Sequence, residues 1–233
     1  MSATYKIFLN LPEGYETESS QTYPVVYLLD GNWYFRGPRA NVAGIVDGLI
    51  HKELIPPVIL VSIGYPATNR RARDFLEAYD KFYAFLVDEL IPFVDLRYRT
   101  DPTSGRTLIG HSDGGFFTFY AFSKYGENSG VEPFDKFISI SGDFTKLNNL
   151  MYRREADLYY VKSKESGILD VSLYLAVGAL EETRFVRSNS KMAELLGSRN
   201  YAKFKFQSKV YDKHDHTSVV SPAISDGLVW IYK

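Results

Sequence analysis

Short apolar runs that stop abruptly at turns, with helical patterns between them, constrain this chain more than any other feature. Residues 24–29 read Pro-Val-Val-Tyr-Leu-Leu and halt at Asp30-Gly31, and residues 57–63 halt at Gly64-Tyr65-Pro66. Such continuous runs are expected of strands buried on both faces. Residues 4–11 alternate like a strand and end at the turn Pro12-Glu13-Gly14. The same reasoning predicts strands over 106–109, 137–141, 172–177 and 204–211. Helices are predicted over 81–98, 114–125, 147–163, 184–196 and 218–232. In the first of these, Phe82, Phe85, Leu86, Leu90, Phe93 and Val94 recur at helical spacing, and Pro92 predicts a kink or a break. Strand followed by helix, repeated, implies an α/β fold: a mainly parallel central sheet with helices on both faces. There is no internal repeat and no linker rich in Pro, Gly or Ser. The 233 residues are expected to form a single domain, 1–233, since α/β units reach about 250 residues.

Composition narrows the function. Hydrophobic residues at 45% and charged residues at 24% exclude a disordered or collagen-like chain. Lys and Arg total 27 against 28 Asp and Glu, so the net charge is −1 and offers no footprint for nucleic acid or an anionic membrane. No apolar run approaches the roughly 18 residues of a membrane span. The amino-terminal six residues lack the basic-then-apolar pattern of a signal peptide. The expected location is the cytoplasm, or a secreted or periplasmic site if a signal has been removed. With no cysteine, disulfides, zinc–thiolate sites and a cysteine nucleophile are excluded. Aromatic residues at 15% suit aromatic-lined walls.

Ligands of open parallel sheets lie beyond the carboxyl ends of the strands, and four such loops carry chemistry. After the strand at 106–109 comes Gly110-His111-Ser112-Asp113-Gly114-Gly115. This fits G-x-S-x-G between strand and helix, a turn so tight that its flanking positions must be small and the serine hydroxyl is lifted clear of the sheet. Ser112 is therefore the candidate nucleophile. His111 is expected to point away as a packing residue.

Serine needs a base to take its proton. Of four histidines, His51 ends a predicted helix, where a solvated position suits it. His214 and His216 sit in the loop after the last strand, and spacing alone does not choose between them. His-x-His is also half of a metal site, but zinc needs at least three protein ligands and no third lies nearby in sequence. The acid that orients the base is expected between serine and histidine in chain order. Glu181 and Glu182 follow the strand at 172–177, and Asp143 is a further candidate. Glutamate at a helix start is also favoured by the helix dipole alone. The oxyanion of an acyl-transfer intermediate needs two backbone N–H donors. Asp113, after the nucleophile, supplies one. Asn32, in Asp30-Gly31-Asn32, is the choice for the other, because Gly31 permits close approach. Trp33, Tyr34 and Phe35 follow and are candidate walls of a substrate pocket, although some of them are expected to be core.

Together these pieces resemble the Putative esterase family of α/β-hydrolases, which includes siderophore (enterochelin and bacillibactin) esterases, feruloyl-type esterases and mycolyl-transferase relatives. The resemblance covers most of the chain. It rests on Tyr-Leu-Leu-Asp-Gly at 27–31, Arg71-Ala72-Arg73-Asp74-Phe75, and Glu89-Leu90-Ile91-Pro92 continuing to Tyr98-Arg99-Thr100-Asp101-Pro102. It rests also on the elbow at 110–115 and on His216-Thr217-Ser218-Val219-Val220. The family's His-x-Ser-Val pattern selects His216 over His214, and its Gly-x-x-Glu pattern selects Glu181 over Glu182. Two departures stand out: a short stretch between Phe75 and Lys81, and Ser139-Ile140-Ser141-Gly142-Asp143 where relatives carry Ser-Pro-Ser-x-Trp. The resemblance implies a serine carboxylic-ester hydrolase that works through an acyl-enzyme, with no cofactor and no metal. Its partner is a small-molecule ester: a siderophore lactone, an aryl ester or a short-chain acyl ester. The rivals are an acyltransferase on the same fold and a binding protein without catalysis. Arg71 and Arg73 are candidates to face an anionic substrate; an Arg–Asp pair with Asp74 or another acid is the alternative.

Overall fold

The computed structural model describes residues 3–18, 20–66, 68–127 and 132–233. Seven strands form one sheet in the order β1-β3-β2-β4-β5-β6-β7. They are β1 (Ile7–Asn10), β2 (Val25–Leu28), β3 (Ile59–Ile63), β4 (Arg106–His111), β5 (Lys136–Ile140), β6 (Ser172–Gly178) and β7 (Lys205–Tyr211). Only β1 runs antiparallel, pairing Ile7 with Ile63 on β3, and every other pairing is parallel. Every residue of β2, β3, β4 and β6 is buried, as continuous apolar runs require of a sheet covered on both faces.

Helices α1 (Gly31–Tyr34), α2 (Val42–His51), α3 (Tyr79–Ala84), α4 (Ile91–Arg97), α5 (Asp113–Ser123), α6 (Lys146–Lys164), α7 (Thr183–Gly197) and α8 (Val220–Ile231) follow in chain order. Side chains from α3 through α7 join Tyr27, Val61, Leu108, Phe137 and Leu173 in one apolar core. On the other face, α2 and α8 cover Val26, Leu28, Leu60, Ile109, Ile138 and Tyr174. Alternation along each strand sends successive residues to opposite cores. Helix α5 lies in the middle with ten of its eleven residues buried, so it is apolar on every side rather than amphipathic.

The helix expected over 81–98 is divided. Between α3 and α4 the chain widens into a π-helical stretch, Phe85–Leu90, immediately before Pro92. Proline offers no N–H to the turn behind it, and the wider turn takes up the mismatch. A second π turn, Arg73–Glu77, precedes α3. At the start of α6, Leu147, Asn148 and Asn149 adopt left-handed backbone angles, so the regular helix begins after them.

Candidate active site

The elbow is built by backbone contact. Ser112 has φ 59° and ψ −119°, a region that costs a non-glycine residue about 1–3 kcal/mol. Its N–H donates to Ile140 O on the neighbouring strand end at 2.8 Å, and its carbonyl accepts from Phe116 N at 2.9 Å, which starts α5. A Cβ at Gly110 would sit 2.2 Å from Gly114 O, and one at Gly115 would sit 2.4 Å from Ile140 O. The tight positions are therefore Gly110 and Gly115. A Cβ at Gly114 would meet nothing nearer than the Asp30 carboxylate, at 3.1 Å.

His216 comes to this elbow from the loop before α8. Its Nδ1 donates to Glu181 Oε2 at 2.6 Å. Its ring lies between two others, with centroids 4.5 Å from Phe185 and 4.5 Å from His111. The Glu181 side chain is fully buried, while that of His216 is 34% exposed. The other carboxylate oxygen, Glu181 Oε1, accepts from Ser141 Oγ at 2.6 Å and from Gly178 N at 2.7 Å. Three donors thus fix the carboxylate on both oxygens. The Ser112 hydroxyl makes no hydrogen bond among the described residues. Contacts between nucleophile and base are often loose before substrate arrives.

The other candidates are placed elsewhere. Glu182 is exposed at the start of α7, paired with Arg184 at 3.1 Å. Asp143 accepts from Thr145 N and Thr145 Oγ1, which closes a turn. His214 Nδ1 is bound to Ser218 O at 3.0 Å, so the two histidines of the His-x-His pair have different partners. Buried His111 shares a 2.8 Å hydrogen bond from Nδ1 with Tyr34 OH. Burial, then the neighbouring charges of His216 and Arg71, hold its imidazole well below the usual histidine range, so it stays neutral.

Asn32 sits in the single turn α1. That turn closes when Trp33 N and Tyr34 N donate to Asp30 O at 2.9 and 3.2 Å, leaving the Asn32 N–H ahead of the first bond. Its side chain accepts from Tyr65 N at 2.7 Å. The Asp113 N–H is likewise in the unpaired first turn of α5.

Four substrate-binding expectations are corrected. Tyr34 is buried on His111, and Phe35 is buried and stacks on Phe8 with centroids 5.3 Å apart. The one-turn helix swings both residues under the end of the sheet, and only Trp33 of the three aromatics is partly exposed. Arg71 spends its guanidinium on Asp30 at 2.8 Å and Asp113 at 2.6 Å. Arg73 pairs with its neighbour Asp74 and donates to Tyr5 OH at 3.1 Å, toward β1. Both arginines are neutralised by carboxylates.

Sequence reasoning missed Ser141, which has left-handed backbone (φ 52°) at the end of β5, and Phe185, the aromatic lid on the His216 ring. Ser141 lies between Ile140 and Asp143, the two positions at which the chain departs from the Ser-Pro-Ser-x-Trp stretch named above. Phe185 gave no local signal, because only the folded chain brings it to residue 216.

A family model described as Putative esterase matches residues 1–222. The chain belongs to that family. It is a carboxylic-ester hydrolase on the α/β-hydrolase fold, as the family match and the mostly parallel sheet agree. It is 26% identical to the ferri-bacillibactin esterase BesA of Bacillus subtilis over 216 residues, which is 82% of this chain and 71% of that protein. It is also 26% identical to the siderophore enterobactin esterase of Emericella nidulans over 264 residues, 91% of this chain and 83% of that one. Among solved structures, the BES protein from Bacillus cereus superposes with a TM-score of 0.81 at 25% identity, covering 98% of this chain and 89% of that one. No helix among the described residues is long and apolar enough to cross a membrane.

Proposed function

We propose that this esterase cleaves siderophore esters through a Ser112–His216–Glu181 triad and an acyl-enzyme. One observation carries the reading. The His216 ring is tied to buried Glu181 at 2.6 Å and packed within ring contact of His111, the residue next to a strained Ser112. Ser112 Oγ attacks the ester carbonyl carbon, and its proton passes to His216 Nε2. Glu181 stabilises the resulting imidazolium through Nδ1. The tetrahedral oxyanion lies on the N–H groups of Asn32 and Asp113. Collapse breaks the C–O bond, and His216 returns the proton to the leaving alcohol. Water, deprotonated by the same imidazole, then releases the acid.

The substrate class rests on the curated relatives, which act on ferri-bacillibactin and enterobactin. Trp33 is the aromatic side chain left beside the oxyanion turn, and it is proposed to contact substrate. Ser112→Ala tests the nucleophile. The variant is expected to stay folded and to lose about 10⁴-fold or more of kcat, keeping only what binding and the oxyanion donors supply. Retention of more than a tenth of kcat removes Ser112 from the role. A panel of ferric siderophore lactones, aryl esters and short-chain acyl esters tests the substrate, with the lactones expected to give the highest kcat/KM.

A further inference from the structure

The two proposed oxyanion donors belong to different turns, which the β2–β4 pairing and the hydrogen bond between Tyr34 OH and His111 Nδ1 bring side by side. Asn32 follows β2 and Asp113 follows β4. One charged group binds the aspartates of both turns. Arg71, from the segment after β3, donates from Nε to Asp30 Oδ1 at 2.8 Å and from Nη2 to Asp30 Oδ2 at 3.1 Å. Its Nη1 donates to Asp113 Oδ2 at 2.6 Å, and Nη2 also reaches His111 O at 2.9 Å. The side chain is only 12% exposed, and Asp30 is buried completely. The rings of Trp33 and Phe75 flank the guanidinium at 5.4 and 5.3 Å.

We infer that Arg71 is a positioning residue for the oxyanion hole, locking the Asp30–Gly31–Asn32 turn to the Ser112 elbow through a fork that lysine cannot copy. Two arguments support this. Asp30 holds left-handed angles, φ 58° and ψ 40°, without being glycine. Its carbonyl closes the turn that presents Asn32, and its carboxylate is held only by Arg71 and Tyr65 OH. The fork thus maintains the backbone conformation that aims the Asn32 N–H. The second argument is charge. Asp30 and Asp113 are balanced by Arg71 and by Lys146, which pairs with the other Asp113 oxygen. Without Arg71, Asp30 would lose its cation and Asp113 would keep only Lys146. The surplus negative charge would lie beside the place where the oxyanion develops.

This inference rests on the serine reading of the site, and the test separates the two. Arg71→Met and Arg71→Lys are compared with wild type for kcat, KM, inhibition by a trifluoromethyl ketone and binding of the product acid. The ketone adds to serine and places an oxyanion in the hole. Product binding reports the ground-state site. Arg71→Met is expected to lower kcat by about 10²-fold and to weaken the ketone by a similar factor, with product affinity within about threefold. Arg71→Lys restores the charge without the fork and is expected to recover about a tenth of wild-type kcat. If Arg71→Met does not accumulate as folded protein, parallel losses of kcat and ketone affinity in Arg71→Lys carry the same conclusion. A rise in KM and a loss of product binding with kcat kept would overturn the inference, because Arg71 would then touch substrate. Unchanged kinetics in both variants would overturn it as well. Labelling of Ser112 by a fluorophosphonate in the wild type is checked first. Its failure would sink the serine reading, whereas a labelled variant with wild-type kcat sinks only the role of Arg71.

Discussion

The two halves of the site are held by different physics. The nucleophile half lies at the middle of the sheet, beyond neighbouring strands β2 and β4. It is bolted by ions: Asp30, Arg71, Asp113 and Lys146 form a continuous, mostly buried chain of alternating charge. Breaking a buried pair of this kind costs about 3–5 kcal/mol. That is enough to hold Asp30 in left-handed backbone, while Ser112 is held by its own backbone bonds to Ile140 and Phe116. The base half sits at the edge, beyond β6 and β7. Here backbone bonds join loop to loop, Ala179 N to Tyr211 O and Leu180 N to His214 O, both at 3.0 Å. Asp215 closes the histidine loop by accepting from Thr217 N and Ser218 N. The imidazole itself is held by one carboxylate and two rings. The central half is thus fixed, and the edge half keeps the ring proposed to exchange protons with substrate and water. Segments with few buried contacts and exposed backbone bonds open more readily than a packed centre, and the proposed joint from Ser112 to His216 lies between the halves.

The largest break in that comparison is removal of the ring. His216→Ala is expected to lower kcat by about 10⁴-fold or more while leaving the ion chain and the fold intact. His214→Ala, in the same loop, loses a hydrogen bond to Ser218 O and an edge-on ring contact with Tyr211, and is expected to change kcat by less than about threefold. Steady-state kinetics of both variants on one ester decide this. Loss confined to His214→Ala would reverse the assignment of the base, and equal large losses would point to a joint role.

How much of this was legible in the sequence follows the same division. Buried strands announce themselves as apolar runs, so β2 to β6 fall where the runs do, give or take two residues. The elbow is legible because sterics demand glycine there. Which of Trp33, Tyr34 and Phe35 are core was not legible, because three consecutive aromatics in one helical turn face three directions and sequence does not say which faces out. Sequence left Arg71 open between an anionic substrate and an Arg–Asp pair because its partners, Asp30 and Asp113, are 41 and 42 residues away. An arginine looks unpaired until the chain folds. Glu181 and Glu182 differ in the sequence only through spacing from Gly178. In the structure one is buried beneath His216 and the other is solvated.

Glu181→Gln sharpens the comparison next. The amide keeps the size and can still accept from Nδ1, but it removes the charge that stabilises the imidazolium. The template triad loses about 10⁴-fold for the corresponding change. The expected loss here is smaller, roughly 10–10³-fold in kcat, against under threefold for Glu182→Gln. Part of the carboxylate's work is positional, since Ser141 and Gly178 also bind it. The opposite ranking would move the acid to Glu182. Two unchanged variants would leave a Ser–His pair acting alone.

The smallest expected effect tests whether the central half is sealed. His111 is buried against Tyr34 and lies beside the His216 ring, and burial first, then the charges of His216 and Arg71, lower its pKa. In the unfolded chain the same residue titrates near its ordinary value of about 6.5. Below that pH the unfolded chain takes up a proton that the native state refuses. Stability therefore falls as pH falls, by up to about 1.4 kcal/mol per pH unit for this one site, until the native imidazole also protonates. His111→Gln keeps a polar partner for Tyr34 OH and removes the titration. Urea unfolding of both proteins at pH 7.5 and 5.5 reads the effect as a difference of differences. Wild type is expected to lose about 1 kcal/mol more than His111→Gln over that interval. Equal losses would mean that native His111 accepts a proton at pH 5.5. The elbow would then be as open to water as the base loop, and the contrast between a fixed centre and a yielding edge would fail at the residue where the two halves touch.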